Sequence, residues 1–161
     1  MYSEQKQRNF ETSLKKGHVG EQIIRDHLES RGWIVYLPFT KNKAHYFDIL
    51  ATLNKKKVIA IDVKTKARLN NWAAQGINIK HYYEYMEFVK NHAVPFYLCF
   101  VDDKIGDVHI CNIEELRNPI YPNKEIIAWS LSQMKFLMKI TEEDIKNLSQ
   151  YDQRNYEFKP L

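Results

Sequence analysis

Two neighbouring apolar runs are each interrupted by acids, and few folds can hold such a pattern. Tyr46-Phe47-Asp48-Ile49-Leu50-Ala51 carries one carboxylate. Val58-Ile59-Ala60-Ile61-Asp62-Val63-Lys64 carries an acid and a lysine two residues apart. Side chains alternate faces along a strand, so Asp62 and Lys64 point one way while Ile59, Ile61 and Val63 point the other. Val58 and Ala60 are apolar as well, so both faces of this strand read as covered, as in a layered α/β sheet. A charge at such a place is costly unless it is paired or bound to a metal.

The residues Asn54-Lys55-Lys56 between the two runs read as the loop of a hairpin. A three-residue loop puts Leu53 opposite Lys57 and brings Asp48 opposite Asp62 on one face. A two-residue loop would put Phe47 there instead, so the register that joins the acids is the expected one. Carboxylates directly across a strand pair repel each other. A divalent cation would offset the repulsion, and carboxylate oxygens suit Mg²⁺ or Mn²⁺. A salt-bridge trio with Lys64 would offset it too, and the residues alone leave both open.

Elsewhere the pattern predicts a helix over residues 18–31, with Val19, Ile23, Ile24 and Leu28 as its apolar stripe and Gly32 as its end. A strand follows in Trp33-Ile34-Val35-Tyr36-Leu37-Pro38, then the hairpin. A long helix is predicted over residues 72–91, then strands over 95–101, 107–113 and 126–131. Thr141 and Asp144 mark the start of a last helix. The order predicts an α/β fold with a mixed central β-sheet flanked by helices. At 161 residues the chain reads as one domain, with a core over 17–112 and an extension over 113–161.

The apolar share of 44% and charged share of 27% are ordinary for a globular protein. No apolar run approaches the roughly 20 residues that span a bilayer. The first residues lack the apolar stretch of a secretory signal. A cytoplasmic protein without a membrane partner is therefore expected. Cys99 and Cys111 sit in apolar strands, where a free thiol acts as a small hydrophobe, and they have no histidine partners for zinc. The net charge of +4 is only mildly basic, but residues 41–68 hold eight cations (Lys41, Lys43, Lys55, Lys56, Lys57, Lys64, Lys66, Arg68) against Asp48 and Asp62. That is either a solvated basic surface or one that faces phosphates.

With Gly20-Glu21 on the first helix, Phe47-Asp48 on one strand and Asp62-Val63-Lys64 on the next, the chain resembles the PD-(D/E)xK phosphodiesterase superfamily, the restriction-endonuclease-like nucleases. It is most similar to the Holliday-junction-resolvase group. The motif likeness covers about residues 17–67 and the element order extends it to residue 100. Phe47 stands where the superfamily name has proline.

The resemblance implies a restriction-endonuclease-like fold and a nuclease domain with Glu21, Asp48, Asp62 and Lys64 as catalytic residues. Asp48, Asp62, the backbone carbonyl of Val63 and Glu21 would hold Mg²⁺ or Mn²⁺. Lys64 would orient water or stabilise charge on the phosphate. On the residues alone, Glu21 reads as an acid complementing a helix dipole. Lys66, Arg68 and Lys43 would contact neighbouring phosphates, or merely solubilise the surface. Gln75, at the start of the long helix, would reach the phosphate or water, or simply be solvated.

The implied activity is a metal-dependent DNA endonuclease that leaves a 5′-phosphate and a 3′-hydroxyl, with branched DNA as its substrate. The alternatives are a sequence-specific restriction or homing-type enzyme of the same fold and a non-catalytic nucleic-acid-binding protein. Two cuts need two sites, so a homodimer is expected. Residues 129–140 are a candidate interface or part of the core. Tyr82, Tyr83, Tyr85 and Phe88 read as core packing rather than base stacking. His18, His45 and His81 have no partner acid at a telling spacing.

Overall fold

The computed structural model describes residues 2–38, 45–54, 56–69 and 72–151, with side chains from residue 7 onward. Helix α1 (Tyr2–Ser30) is longer than its apolar stripe predicts. Among its described side chains the second half packs: Gly20, Ile24 and Leu28 are buried, whereas Phe10 and Leu14 are exposed. The first half lacks a 3.6-residue stripe, so periodicity could not reveal it. Gly32 ends the helix with φ +83°. Its amide donates to Glu29 O while that of Trp33 donates to Leu28 O, the paired bonds of a Schellman stop.

Six strands form a mixed sheet in the order β1 (Ile34–Tyr36), β2 (Ile49–Leu53), β3 (Lys57–Thr65), β5 (Phe96–Val101), β6 (Asp107–Asn112) and β8 (Lys135–Lys139). Only β3 and β5 run parallel. The hairpin register is the expected one, with Leu53 opposite Lys57 and Ile49 opposite Ile61. Asp48 lies one residue before β2, and its amide donates to Ile61 O. The sheet is thus a mixed α/β sheet flanked by three helices.

The predicted long helix is shorter than expected. Its first part is a strand, β4 (Ala74–Asn78), which pairs with β7 (Ile126–Ser130) in a separate two-stranded ribbon. Helix α2 (Ile79–Asn91) begins only after Asn78, whose side chain caps the Lys80 amide. Gly76 is the physical reason: glycine is a poor helix former, and here it lets the two backbones of the ribbon approach. Gln75 therefore lies on a strand and not on the helix.

Two apolar layers result. On one face Tyr85 and Phe88 of α2, with Ile77, Ile127 and Trp129 of the ribbon, pack on Ala60, Phe96, Leu98 and Phe100. On the other, Ile24 and Leu28 of α1 pack with Leu148 of α3 (Glu142–Ser149) on Ile49, Ile61, Val63 and Cys99. Thr141 and Asp144 form the capping box of α3. Cys99 and Cys111 are free and buried. Within residues 129–140, Trp129, Met134 and Ile140 are buried in these layers, so the segment belongs to the core; Phe136 alone among its large apolar side chains is more than half exposed. Among the described residues no helix is long and apolar enough to cross a membrane.

A Cβ at Gly76 would lie 2.7 Å from both Ala128 Cβ and Ile127 O. Backbone cannot yield as a side-chain tip can. Gly76→Ala should therefore cost about 1–3 kcal/mol and lower Tm by roughly 2–8 °C. Thermal unfolding by circular dichroism checks this. An unchanged Tm would mean that the ribbon adjusts freely.

Candidate active site

Pairing of β2 with β3 carries Asp48 to the level of Asp62, at the end of the sheet where β3 leaves the core. Asp48 is fixed by the backbone: the amide of Val63 donates to its Oδ2 at 2.7 Å. Asp62 is only 4% exposed. Lys64 Nζ donates to Asp62 Oδ1 at 3.0 Å and lies 2.8 Å from Oδ2. At Oδ2 the angles are not those of a hydrogen bond, so this buried acceptor has no hydrogen-bond partner among the described residues. Burial pushes Asp62 up to about 6. Lys64 opposes that rise and the charge of Asp48 adds to it.

Helix α1 brings the third acid. A Cβ on Gly20 would lie 1.8 Å from Thr65 Oγ1 and 3.0 Å from Thr65 Cβ, so only glycine lets the helix cross β3 this closely. Glu21 then sits half-buried beside the strand exit, with His18 Nδ1 at 3.3 Å from its Oε2. Burial raises its carboxyl above the usual range, and the negative charge of Asp48 raises it further. The charges of both Asp48 and Lys64 act on this carboxyl.

Two residues that sequence reasoning passed over complete the surroundings. Tyr85 of α2 is buried, and its hydroxyl is held protonated by burial and by the Asp62 carboxylate beside it. Lys64 Nζ lies 5.8 Å from the Tyr85 ring centroid, in cation–π range. His81, one turn earlier, is shifted down by burial and by Lys64. Helical spacing gives Tyr85 a core position, and nothing in the sequence reveals a partner that arrives from β3.

The flanking cations divide. Lys66 is half-buried beside Lys64, and burial with that like charge pushes it down to about 8. Arg68 is not delivered to the cluster. Its Nε bonds Asp102 Oδ2 at 2.9 Å and its Nη2 bonds Asp107 Oδ2 at 3.0 Å, so it ties the strand exit to the β5–β6 turn. Gln75 is buried instead of solvated, with Nε2 3.5 Å from Lys66 O and its Oε1 without a partner among the described residues. Lys43 lies outside the described residues, as do Lys41 and Lys55.

The donor set suits a hard divalent cation, because it offers carboxylate oxygens, one of them a buried acceptor without a hydrogen-bond partner among the described residues. Among the described residues, no three Asp, Glu, His or Cys side chains are drawn together tightly enough to grip a metal as they stand. The cation that neutralises Asp62 is the Lys64 ammonium. The residues therefore fit the group in chemistry, with Lys64 in the position it would contest.

No family model matches the sequence, and no curated protein matches it. The fold is similar to that of Hjc, a Holliday junction resolvase from the archaeal hyperthermophile Archaeoglobus fulgidus. It matches with a TM-score of 0.54 at 14% identity, over 72% of this chain and 89% of its own.

The raised carboxyl of Asp62 makes a testable demand on stability. A carboxyl whose folded value of about 6 exceeds its ordinary 3.8 favours the folded state when protonated. That contribution is complete below 3.8 and is lost as pH climbs through about 6. Asparagine does not titrate. In EDTA, Asp62→Asn should melt above the parent at pH 7.5, and the advantage should shrink as pH falls towards 5. A lower Tm for the variant at pH 7.5 would mean that the Lys64 pair outweighs the desolvation of Asp62.

Proposed function

We propose that the chain is a metal-dependent DNA endonuclease that hydrolyses phosphodiester bonds, acts on branched DNA and works as a homodimer. The observation that carries this reading is the pair Asp48 and Asp62 brought level at a strand end, with the Lys64 ammonium against a buried Asp62 oxygen that has no hydrogen-bond partner among the described residues. Likeness in fold to a Holliday junction resolvase supports it.

In this reading Asp48, Asp62, the Val63 carbonyl and Glu21 would hold Mg²⁺ or Mn²⁺. When bound, such a cation lowers the pKa of water and polarises the phosphoryl oxygen. The remaining work falls to the chain. The Val63 amide fixes Asp48, so one carboxylate is aimed before any substrate arrives. Tyr85 and its neighbours keep water from Asp62. Lys64, freed from Asp62, would place its ammonium on a phosphate oxygen and stabilise the charge that grows there. Water attacks phosphorus in line with the 3′ oxygen, the P–O3′ bond breaks and the 3′ oxygen takes up a proton. The products carry a 5′-phosphate and a 3′-hydroxyl. Lys66 and Lys43 would hold flanking phosphates, so binding should weaken as salt rises.

Arg68 and Gln75 have other tasks. Arg68 positions the strand exit through Asp102 and Asp107, and Gln75 braces Lys66 through its carbonyl. One such site cuts one strand, and two-fold pairing of subunits would supply the second.

The test is a panel of linear, nicked, flapped and four-way DNA incubated with Mg²⁺ or with EDTA. Four-way DNA should be cut in Mg²⁺ only. Asp62→Asn and Lys64→Ala should each lower the rate by about 10²–10⁴-fold with folding intact, and Glu21→Gln should lower it by less. Sedimentation should show a dimer. Cleavage in EDTA, or full activity in either of the first two variants, would overturn the assignment. Equal cutting of linear and four-way DNA would overturn the substrate alone.

A further inference from the structure

On the α1 face of the sheet lies a groove of about 960 Å³ that the proposed nuclease chemistry does not use. Its floor is Ile59 of β3, Tyr97 of β5, Ile110 of β6 and Leu137 of β8, all apolar or aromatic and all only partly buried. Ile24 and Leu28 of α1 form one wall. Six strands about 4.8 Å apart make a face wide enough for two or three helices about 10 Å across. Helix α1 lies over β1, β2 and β3. Helix α3 packs at the other end of the strands, with Ile145 against the Gly106 turn, and contributes no residue to the groove. Among the described residues, one helix-sized place on this face is left open.

The rim has one sign. Arg31 closes the end of α1, Lys56 and Lys57 stand at the hairpin, and Lys135 opens β8. Among the described residues His27 and Tyr97 are the other titratable side chains that line the groove, and no carboxylate lines it. The groove opens on the opposite face of β3 from Asp62: Ile61, its nearest lining residue on that strand, and Ile59 point away from the face that carries Asp62, and the cation Lys57 lies five residues from Asp62, about 17 Å at 3.3 Å per residue.

From this we infer that the groove is a docking site for an acidic amphipathic helix of a partner protein. Its apolar stripe would cover Tyr97, Ile110 and Leu137, and its carboxylates would meet Arg31, Lys57 and Lys135. Charge complementarity selects the occupant. A nucleic-acid backbone would use the cations but gain nothing from an apolar floor, whereas an acidic helix uses both.

The probe is a fluorescein-labelled synthetic helix of about 15 residues, leucine on one face and glutamate on the other, titrated with the full chain in EDTA and read by fluorescence anisotropy. Saturable binding is expected. It should weaken by at least about tenfold in the double variant Arg31→Glu/Lys135→Glu, whose exposed positions leave folding unchanged. Leu137→Ser, its Tm checked, should weaken it too. Cleavage of DNA in Mg²⁺ should be the same in the double variant as in the parent, so loss of either property is read separately. No binding at about 100 µM, or equal binding of the same helix with lysine in place of glutamate, overturns the inference. So does displacement by duplex DNA, which would make the groove a nucleic-acid surface. A dimer that the double variant dissolves would assign the groove to a second copy. Binding seen only after removal of residues 152–161 would assign it to this chain's own end.

Discussion

Everything at the candidate site depends on an acid kept where water cannot reach it. Asp62 is 4% exposed, faces Asp48 across a strand pair, and is neutralised by a lysine two residues further along the same strand. Leaving such a carboxylate ionised is expensive, and the apolar layers on both sides of β3 bear that cost. Replacing the Asp62–Lys64 pair by apolar side chains of similar volume would by that argument be neutral or stabilising. The pair is thus poorly explained as a device for stability and better explained by the cation-binding role proposed for it.

The frame holds that machinery to short tolerances. Gly20 lets α1 close on Thr65, and this contact sets Glu21 beside the strand exit. The Val63 amide holds Asp48, and the Arg68 bridge to Asp102 and Asp107 pins the segment that leaves β3. Each anchor lies within a few residues of a charged group, so the positions of the charges follow from backbone geometry and not from flexible reach. Lys64 is the exception. Its stem can carry the ammonium between Asp62 and open solvent, and its side chain is 25% exposed.

The hairpin was legible because its information is local. Two apolar runs, a three-residue loop and one parity rule fix which side chains share a face, and Leu53 lies opposite Lys57 as that rule requires. The stop at Gly32 and the capping box at Thr141 are equally local signals. What stayed hidden needs a partner distant in sequence. Ala74-Gln75-Gly76-Ile77-Asn78 becomes a strand only because residues 126–130 arrive to pair with it. Arg68 has the look of a phosphate ligand until Asp102 and Asp107 take its guanidinium, and Tyr85 looks like core until Asp62 meets its hydroxyl. The polar first half of α1 carries no stripe and so gave no sign of itself.

The central claim is that Asp48 and Asp62 form a cation site which Lys64 guards. The most direct measurement is a crystal of the full chain soaked in Mn²⁺, with diffraction collected where manganese scatters anomalously. The account predicts one strong anomalous peak between Asp48 and Asp62, with the Lys64 ammonium moved off Asp62. No peak there at saturating Mn²⁺, with Lys64 still on the carboxylate, would contradict it.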